Sequence, residues 1–228
     1  MPVVRMEKVE KNYHVGKVEV PALRGVTFSI EKGEFAAIAG PSGSGKTTLL
    51  NLFGCLDKPT AGRVFIEEHD IITLSPDQLA DVRNHHIGFI FQTFNLIPVL
   101  TAFENVEFPL ILLKQDTPGK RKKKIMDMLA SVGIADLANR RPSEMSGGQQ
   151  QRVAIARALI KNPDYVLADE PTANIDTKTG HEILDLMEDM NRKKGTTFVF
   201  STHDPKVMEH ARRLIRIRDG QIESDEKK

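Results

Sequence analysis

Eight consecutive residues, Gly40-Pro41-Ser42-Gly43-Ser44-Gly45-Lys46-Thr47, restrict what this chain can fold into more than any other feature. They fit the pattern G-x-x-x-x-G-K-[ST]. They lie between an apolar run that reads as a buried strand, Phe35 to Ala39, and a helical pattern, Thr47 to Phe53, that stops near Gly54. A strand, a glycine-rich turn and a helix in that order make a phosphate cradle. The glycines let backbone N–H groups converge on phosphate oxygens, and the helix N-terminus adds its partial positive charge. In such a cradle Lys46 reaches the β- and γ-phosphates, and the Thr47 hydroxyl falls to the Mg²⁺ that accompanies a nucleotide, with Thr48 beside it. A ligand-free glycine turn is the bland alternative, and the strand-to-helix context argues against it. The motif alone means nucleoside-triphosphate binding and leaves the reaction open.

The flanking patterns suggest how the cradle is mounted. The first forty residues alternate apolar and polar positions, as in Val26-Thr27-Phe28-Ser29-Ile30, which predicts a small antiparallel sheet. Tyr165 to Ala168 and Thr196 to Phe200 are short apolar runs of the kind that buried parallel strands use. Between them and the cradle, strand signals are sparse, while Lys120 to Ser131 and Gly148 to Ile160 carry apolar residues at helical spacing. The expected division is a core formed by residues 1–92 and 158–228, including the antiparallel β subdomain, with a helical subdomain, 93–157, inserted into it. The lysine-rich run Lys120 to Lys124 reads as a solvated helix face, and the charged tail Glu223 to Lys228 as frayed. Phe91, Phe94 and Phe103 either line a docking groove or fill the lobe's core.

Composition excludes more than it names. With 32 Lys+Arg against 31 Asp+Glu, the net charge of +1 offers no field for nucleic acid. The single cysteine, Cys55, cannot form an intrachain disulfide and reads as a small buried apolar residue. No stretch approaches the ~18 consecutive apolar residues of a membrane span. A cytosolic location is therefore expected, with any membrane work done through another polypeptide.

Two further constellations carry chemistry. The run Tyr165-Val166-Leu167-Ala168-Asp169-Glu170 ends an apolar strand in two carboxylates, which is costly unless a cation or donors receive them. Asp169 suits the Mg²⁺ shell, and Glu170, one residue on, suits orienting or deprotonating an attacking water. His203 follows another strand's carboxyl end. In an open parallel sheet these ends share one edge, so His203 converges on the same place, within reach of a γ-phosphate. Met145-Ser146-Gly147-Gly148-Gln149 opens a helix with a serine cap, a second anion-binding N-terminus in a chain with one phosphate turn. A head-to-tail pair accounts for it, with Ser146, Gly147, Gly148 and Gln149 of one subunit closing over the nucleotide of the other.

Taken in order, Gly40 to Thr47, Gln92, Met145 to Gln149, Tyr165 to Glu170, Asp176 and His203 resemble the motif set of ABC-transporter nucleotide-binding subunits, over nearly the whole chain. The resemblance implies an α/β fold: a P-loop NTPase core of the ABC ATPase type with a parallel sheet, an N-terminal antiparallel β subdomain and an inserted α-helical subdomain. It implies ATP and Mg²⁺ as cofactors and ATP hydrolysis with Lys46, Glu170 and His203 as catalytic residues. Tyr13 would stack on adenine, Gln92 would join Mg²⁺ to the helical lobe, and Asp176 would act across a homodimer interface. Met145 stands where the family usually has leucine, and Ala173-Asn174-Ile175 replaces the common serine-alanine-leucine. Within the family, Gly54 to Thr60 and Phe94 to Pro98 are similar to ATPases of lipoprotein-releasing and macrolide-export systems. That similarity implies a permease partner, a place on the inner face of the membrane, and export or release of a hydrophobic cargo. A regulatory module that controls a cell-envelope enzyme would use the same site chemistry. Chromosome-maintenance ATPases share the Ser-Gly-Gly-Gln signature, but no heptad run separates the motifs here.

Overall fold

The alternation near the N-terminus produces two long strands, β1 (Pro2–Val15) and β2 (Val18–Glu31), paired antiparallel in the computed structural model, which describes residues 2–16, 18–114 and 116–228. With β4 (Ala61–Ile66) and β5 (His69–Asp70) they form a four-stranded sheet of order β2-β1-β4-β5. The apolar runs form a second, six-stranded sheet. In it β3 (Phe35–Ala39) is buried at every position, and β7 (Tyr165–Asp169), β8 (Thr197–Thr202) and β6 (Ile87–Ile90) lie parallel beside it. β9 (Arg213–Arg218) continues the parallel set, and β10 (Gln221–Lys227) closes the edge antiparallel, giving the order β10-β9-β3-β8-β7-β6.

Residues of β3 alternate between two apolar cores, as the pleat requires. Ala36 and Ile38 join the core that fills the space between the sheets around Leu49, Leu52 and Phe53 of α1 (Lys46–Phe53). Phe35, Ala37 and Ala39 join the other core, built with α3 (Ala102–Leu112), α4 (Pro118–Ser131), α5 (Gly147–Leu159), α6 (Thr177–Lys194) and α7 (Pro205–His210). The helix α2 (Pro76–His86) leads directly into β6. Among the described residues no strand lies between Ile90 and Tyr165. There the buried Asn105 of α3 organises the preceding turn, donating Nδ2 to the carbonyls of Leu100 and Thr101 and accepting the Ile97 N–H at 2.8 Å. No helix of the described residues is long and apolar enough to cross a membrane.

The strands and helices that the sequence announced form within a few residues of their expected places. β4, β5, β6, β9, α2, α3, α6 and α7 carry no expectation, and the tail expected to fray is paired as β10. Charge explains the pairing: Asp225 receives both Arg213 Nε at 2.8 Å and Nη2 at 2.7 Å, and Arg213 also reaches Glu34. The basic run behaves as a solvated face with local partners, Arg121 to Glu107 and Lys123 to Asp127. Phe103 packs against the helical core, while Phe89 and Phe91 stack with centroids 5.6 Å apart.

Cys55 is buried in the turn after α1. Burial pushes its thiol up to about 11, against the lowering influence of the Arg83 charge. Since the thiolate is the reactive form, native Cys55 is expected to react with Ellman's reagent on the order of 10²-fold more slowly than in denaturant. Equal rates in the two conditions would contradict its burial.

Candidate nucleotide site

The phosphate turn leaves β3 and enters α1 within six residues, Gly40 to Gly45, and side chains are excluded at both ends. A Cβ on Gly40 would lie 2.1 Å from the Ile217 carbonyl oxygen. Gly45 has φ 107°, and a Cβ there would lie 2.7 Å from the Ala22 oxygen. Lys46 folds back over the turn, donating Nζ to the carbonyls of Gly40 at 2.7 Å and Pro41 at 2.9 Å. Its ammonium thus stands over the same turn that presents the N–H groups.

One cleft of about 600 Å³ brings together most of the expected residues: Pro41, Ser42, Gly43, Gly45, Lys46, Thr47 and Thr48 from the turn and α1, with Tyr13, Gln92, Asp169, Glu170 and His203. Gly40 and Ser44 complete the turn beneath it, with the Ser44 hydroxyl buried and without a partner among the described residues. Asp169 ends β7 with its carboxyl raised by burial and by the neighbouring Glu170 charge, against the lowering effect of Lys46. Thr47, Gln92 and Asp169 offer hydroxyl, amide and carboxylate oxygens, the hard donors Mg²⁺ takes. A cation there also relieves the half-buried carboxylate.

Glu170 is held from one side. It sits in the left-handed region at φ 46°, and its N–H donates to the Ser201 carbonyl at 2.9 Å. Its carboxylate accepts from Thr202 Oγ1 at 3.0 Å, from the His203 N–H at 3.1 Å and from His203 Nδ1 at 2.5 Å. A carboxylate can only accept, so Nδ1 carries the proton and Nε2 is turned outward on a ring whose side chain is 74% exposed against 13% for Glu170.

Ser146, Gly147, Gly148, Gln149 and Asp176 are absent from this cleft. Ser146 caps α5 through a capping box with Gln149, and Asp176 caps α6, accepting the Thr179 N–H at 3.1 Å. The two helix N-termini lie side by side, since a Cβ on Gly148 would meet Thr179 Cγ2 at 2.3 Å. The Thr179 hydrogen bonds hold the Asp176 carboxyl below its usual range.

Sequence reasoning gave no role in the site to several residues that shape it. Asn174 Nδ2 donates to the Gln92 carbonyl at 2.8 Å, and Arg157 grips the carbonyls of Asn95 at 2.5 Å and Phe94 at 2.8 Å. Asp57 accepts from Lys11 and from Tyr13. The left-handed Phe94 and Asn95, at φ 60° and 47°, are conformations no local pattern announces.

The family model described as ABC transporter matches residues 23–173. The chain belongs to the ABC transporter family. An ABC transporter ATP-binding protein of Thermotoga maritima is 49% identical over 227 residues, covering 99% of this chain and 96% of that protein. The macrolide export ATP-binding/permease protein MacB of Syntrophobacter fumaroxidans is 45% identical over 99% of this cassette, which spans only 32% of that longer protein. The dimeric post-hydrolysis structure of the ATP-binding cassette MJ0796 of Methanocaldococcus jannaschii, bound to ADP and Pi, superposes with a TM-score of 0.90 at 46% identity, covering 98% of each chain. The α/β cassette fold is thereby shown, and with it the coarse function: ATP binding and hydrolysis in a transport system.

Proposed function

We propose that the cassette works as a head-to-tail homodimer that hydrolyses ATP at two shared sites and drives a membrane permease in export or release of a hydrophobic or lipoprotein cargo. The observation that carries the dimer reading is the cleft itself: it gathers the phosphate turn, both carboxylates and His203, yet Ser146 to Gln149 and Asp176 stand outside it. A second copy supplies them. The export reading rests on similarity to MacB proteins, whose names join the cassette to a macrolide-exporting permease. The same reading treats residues 93–157 as the inserted lobe that meets the permease, which would hold the cassette on the inner face of the membrane.

In this reading, backbone N–H groups from Gly40 to Gly45 and the Lys46 ammonium bind the β- and γ-phosphates, and Thr48 lies in the same first turn of α1. Thr47, Asp169 and Gln92 would hold a Mg²⁺ ion, which would neutralise charge on the phosphate oxygens. Tyr13 stacks on the base. Glu170 accepts the proton of the attacking water, while His203, fixed by its Nδ1 bond to Glu170, presents Nε2 toward the γ-phosphate. Closure brings the capped α5 N-terminus of the partner onto the same phosphate and Asp176 onto the interface.

The test is to purify Glu170→Gln with ATP from native membranes in mild detergent. Recovery of a permease with a large outer domain is expected. Recovery of only soluble or wall-processing partners would replace the transport reading with a regulatory one.

A further inference from the structure

Tyr13 lines the nucleotide cleft from β1, and its ring is fastened at both its edge and its face. The hydroxyl donates to Asp57 Oδ2 at 3.2 Å. The other oxygen of Asp57 accepts from Lys11 Nζ at 2.6 Å and from the Lys58 N–H at 2.7 Å. Lys11 also donates to the Lys58 carbonyl at 2.8 Å, and its ammonium stands 5.0 Å from the centroid of the Tyr13 ring. Its side chain is only 12% exposed, so the ammonium is largely withdrawn from water and held by this one carboxylate and one carbonyl. Burial raises the Asp57 carboxyl, but the bond from Lys11 and the other donors outweigh it and hold the group below its usual range.

The Asp57 segment is itself seated on β1, with Thr60 N–H donating to the Glu10 carbonyl at 2.8 Å and Asn12 N–H to Thr60 Oγ1 at 3.0 Å. It follows α1 closely, after Gly54, Cys55 and Leu56. The helix whose first turn carries Lys46 and Thr47 thus ends near the carboxylate that fastens the aromatic ring.

We propose that Asp57 and Lys11 are positioning residues for the nucleotide base. They fix the plane of Tyr13, and with Lys11 covering one face of the ring they leave the opposite face for the base. The proposal rests on the reading that Tyr13 stacks on adenine. Stacking uses the π-face common to all bases, so the pair sets the strength of base binding rather than discrimination among bases. It also predicts that the phosphates do not feel the pair directly, because neither residue lines the cleft.

The experiment is equilibrium binding of ATP, GTP and inorganic tripolyphosphate to the full chain and to Tyr13→Ala, Tyr13→Phe, Asp57→Asn, Lys11→Met and the Tyr13→Phe/Asp57→Asn double variant, with KM and kcat alongside. Tyr13→Ala is expected to weaken ATP by at least about 10-fold and leave tripolyphosphate unchanged, from the usual size of base–aromatic stacking. Asp57→Asn, Lys11→Met and Tyr13→Phe are each expected to weaken ATP and GTP alike by about 5-fold, chiefly in KM, with the double variant no weaker than the weaker single. Additive losses in the double variant, or native ATP affinity in Asp57→Asn, would overturn the proposal while leaving Tyr13 stacking intact. An equal loss of tripolyphosphate binding in Asp57→Asn would overturn it too, unless that variant is unfolded. In that case Tyr13→Phe, which removes one hydroxyl, decides alone. Unchanged ATP binding in Tyr13→Ala would remove the stacking reading itself, and the proposal with it.

Discussion

Glu170→Gln is expected to bind ATP at native affinity, hydrolyse it about 10³-fold more slowly, and accumulate as a dimer in ATP. The geometry makes this substitution clean. A glutamine oxygen in the Oε1 position still accepts from both His203 donors, and the amide nitrogen in the Oε2 position meets a Thr202 hydroxyl, which can accept as well as donate. The clasp to residues 202 and 203 therefore survives, while the basic oxygen that takes a proton is gone. Single-turnover phosphate release and size-exclusion chromatography with ATP read the two effects. Native turnover would deprive Glu170 of its role as base, whatever its geometry.

Lys46→Met should act at the earlier step. Methionine keeps most of the length and loses the charge, so the carbonyls of Gly40 and Pro41 lose a charged donor and the phosphates lose a charge-assisted contact. Hydrogen bonds to charged groups contribute about 1.5–3 kcal/mol each, and Lys46 is placed to make more than one. A fall in ATP affinity of about 10²-fold or more is expected, with hydrolysis lost at ordinary ATP concentrations. Fluorescent-nucleotide titration measures it, and thermal unfolding without nucleotide checks that the fold persists. Undiminished affinity would mean that the backbone N–H groups and the helix N-terminus bind the phosphates unaided.

The cradle, the carboxylate pair and the capped α5 were legible because each is written in contiguous residues whose local geometry follows from their types. Gly40 and Gly45 announce a turn that tolerates no Cβ, and Ser146 with Gln149 announces a capped helix. What escaped notice either lacks a local boundary signal or depends on residues far apart in sequence. β6 is four residues long, contains Gly88 and begins where α2 ends, without a turn to mark it. β10 is an edge strand whose pairing leans on Arg213, contributed by the neighbouring strand. The clasp of Glu170 by Thr202 and His203 joins the ends of two adjacent parallel strands. Strand ends are legible singly, and their side-chain partners are not.

The loop after Gln92 is gripped by its carbonyl oxygens: Asn174 holds that of Gln92, and Arg157 holds those of Phe94 and Asn95. A grip on main-chain atoms is indifferent to side-chain identity at the gripped positions, provided the left-handed turns remain accessible. The outward-facing residues of this loop can therefore diverge among cassettes without retuning the hold that α5 and the Asn174 turn exert on it. If this lobe meets a permease as proposed, the loop's surface can be rewritten for a different partner without changing the main-chain grip that Asn174 and Arg157 exert on it.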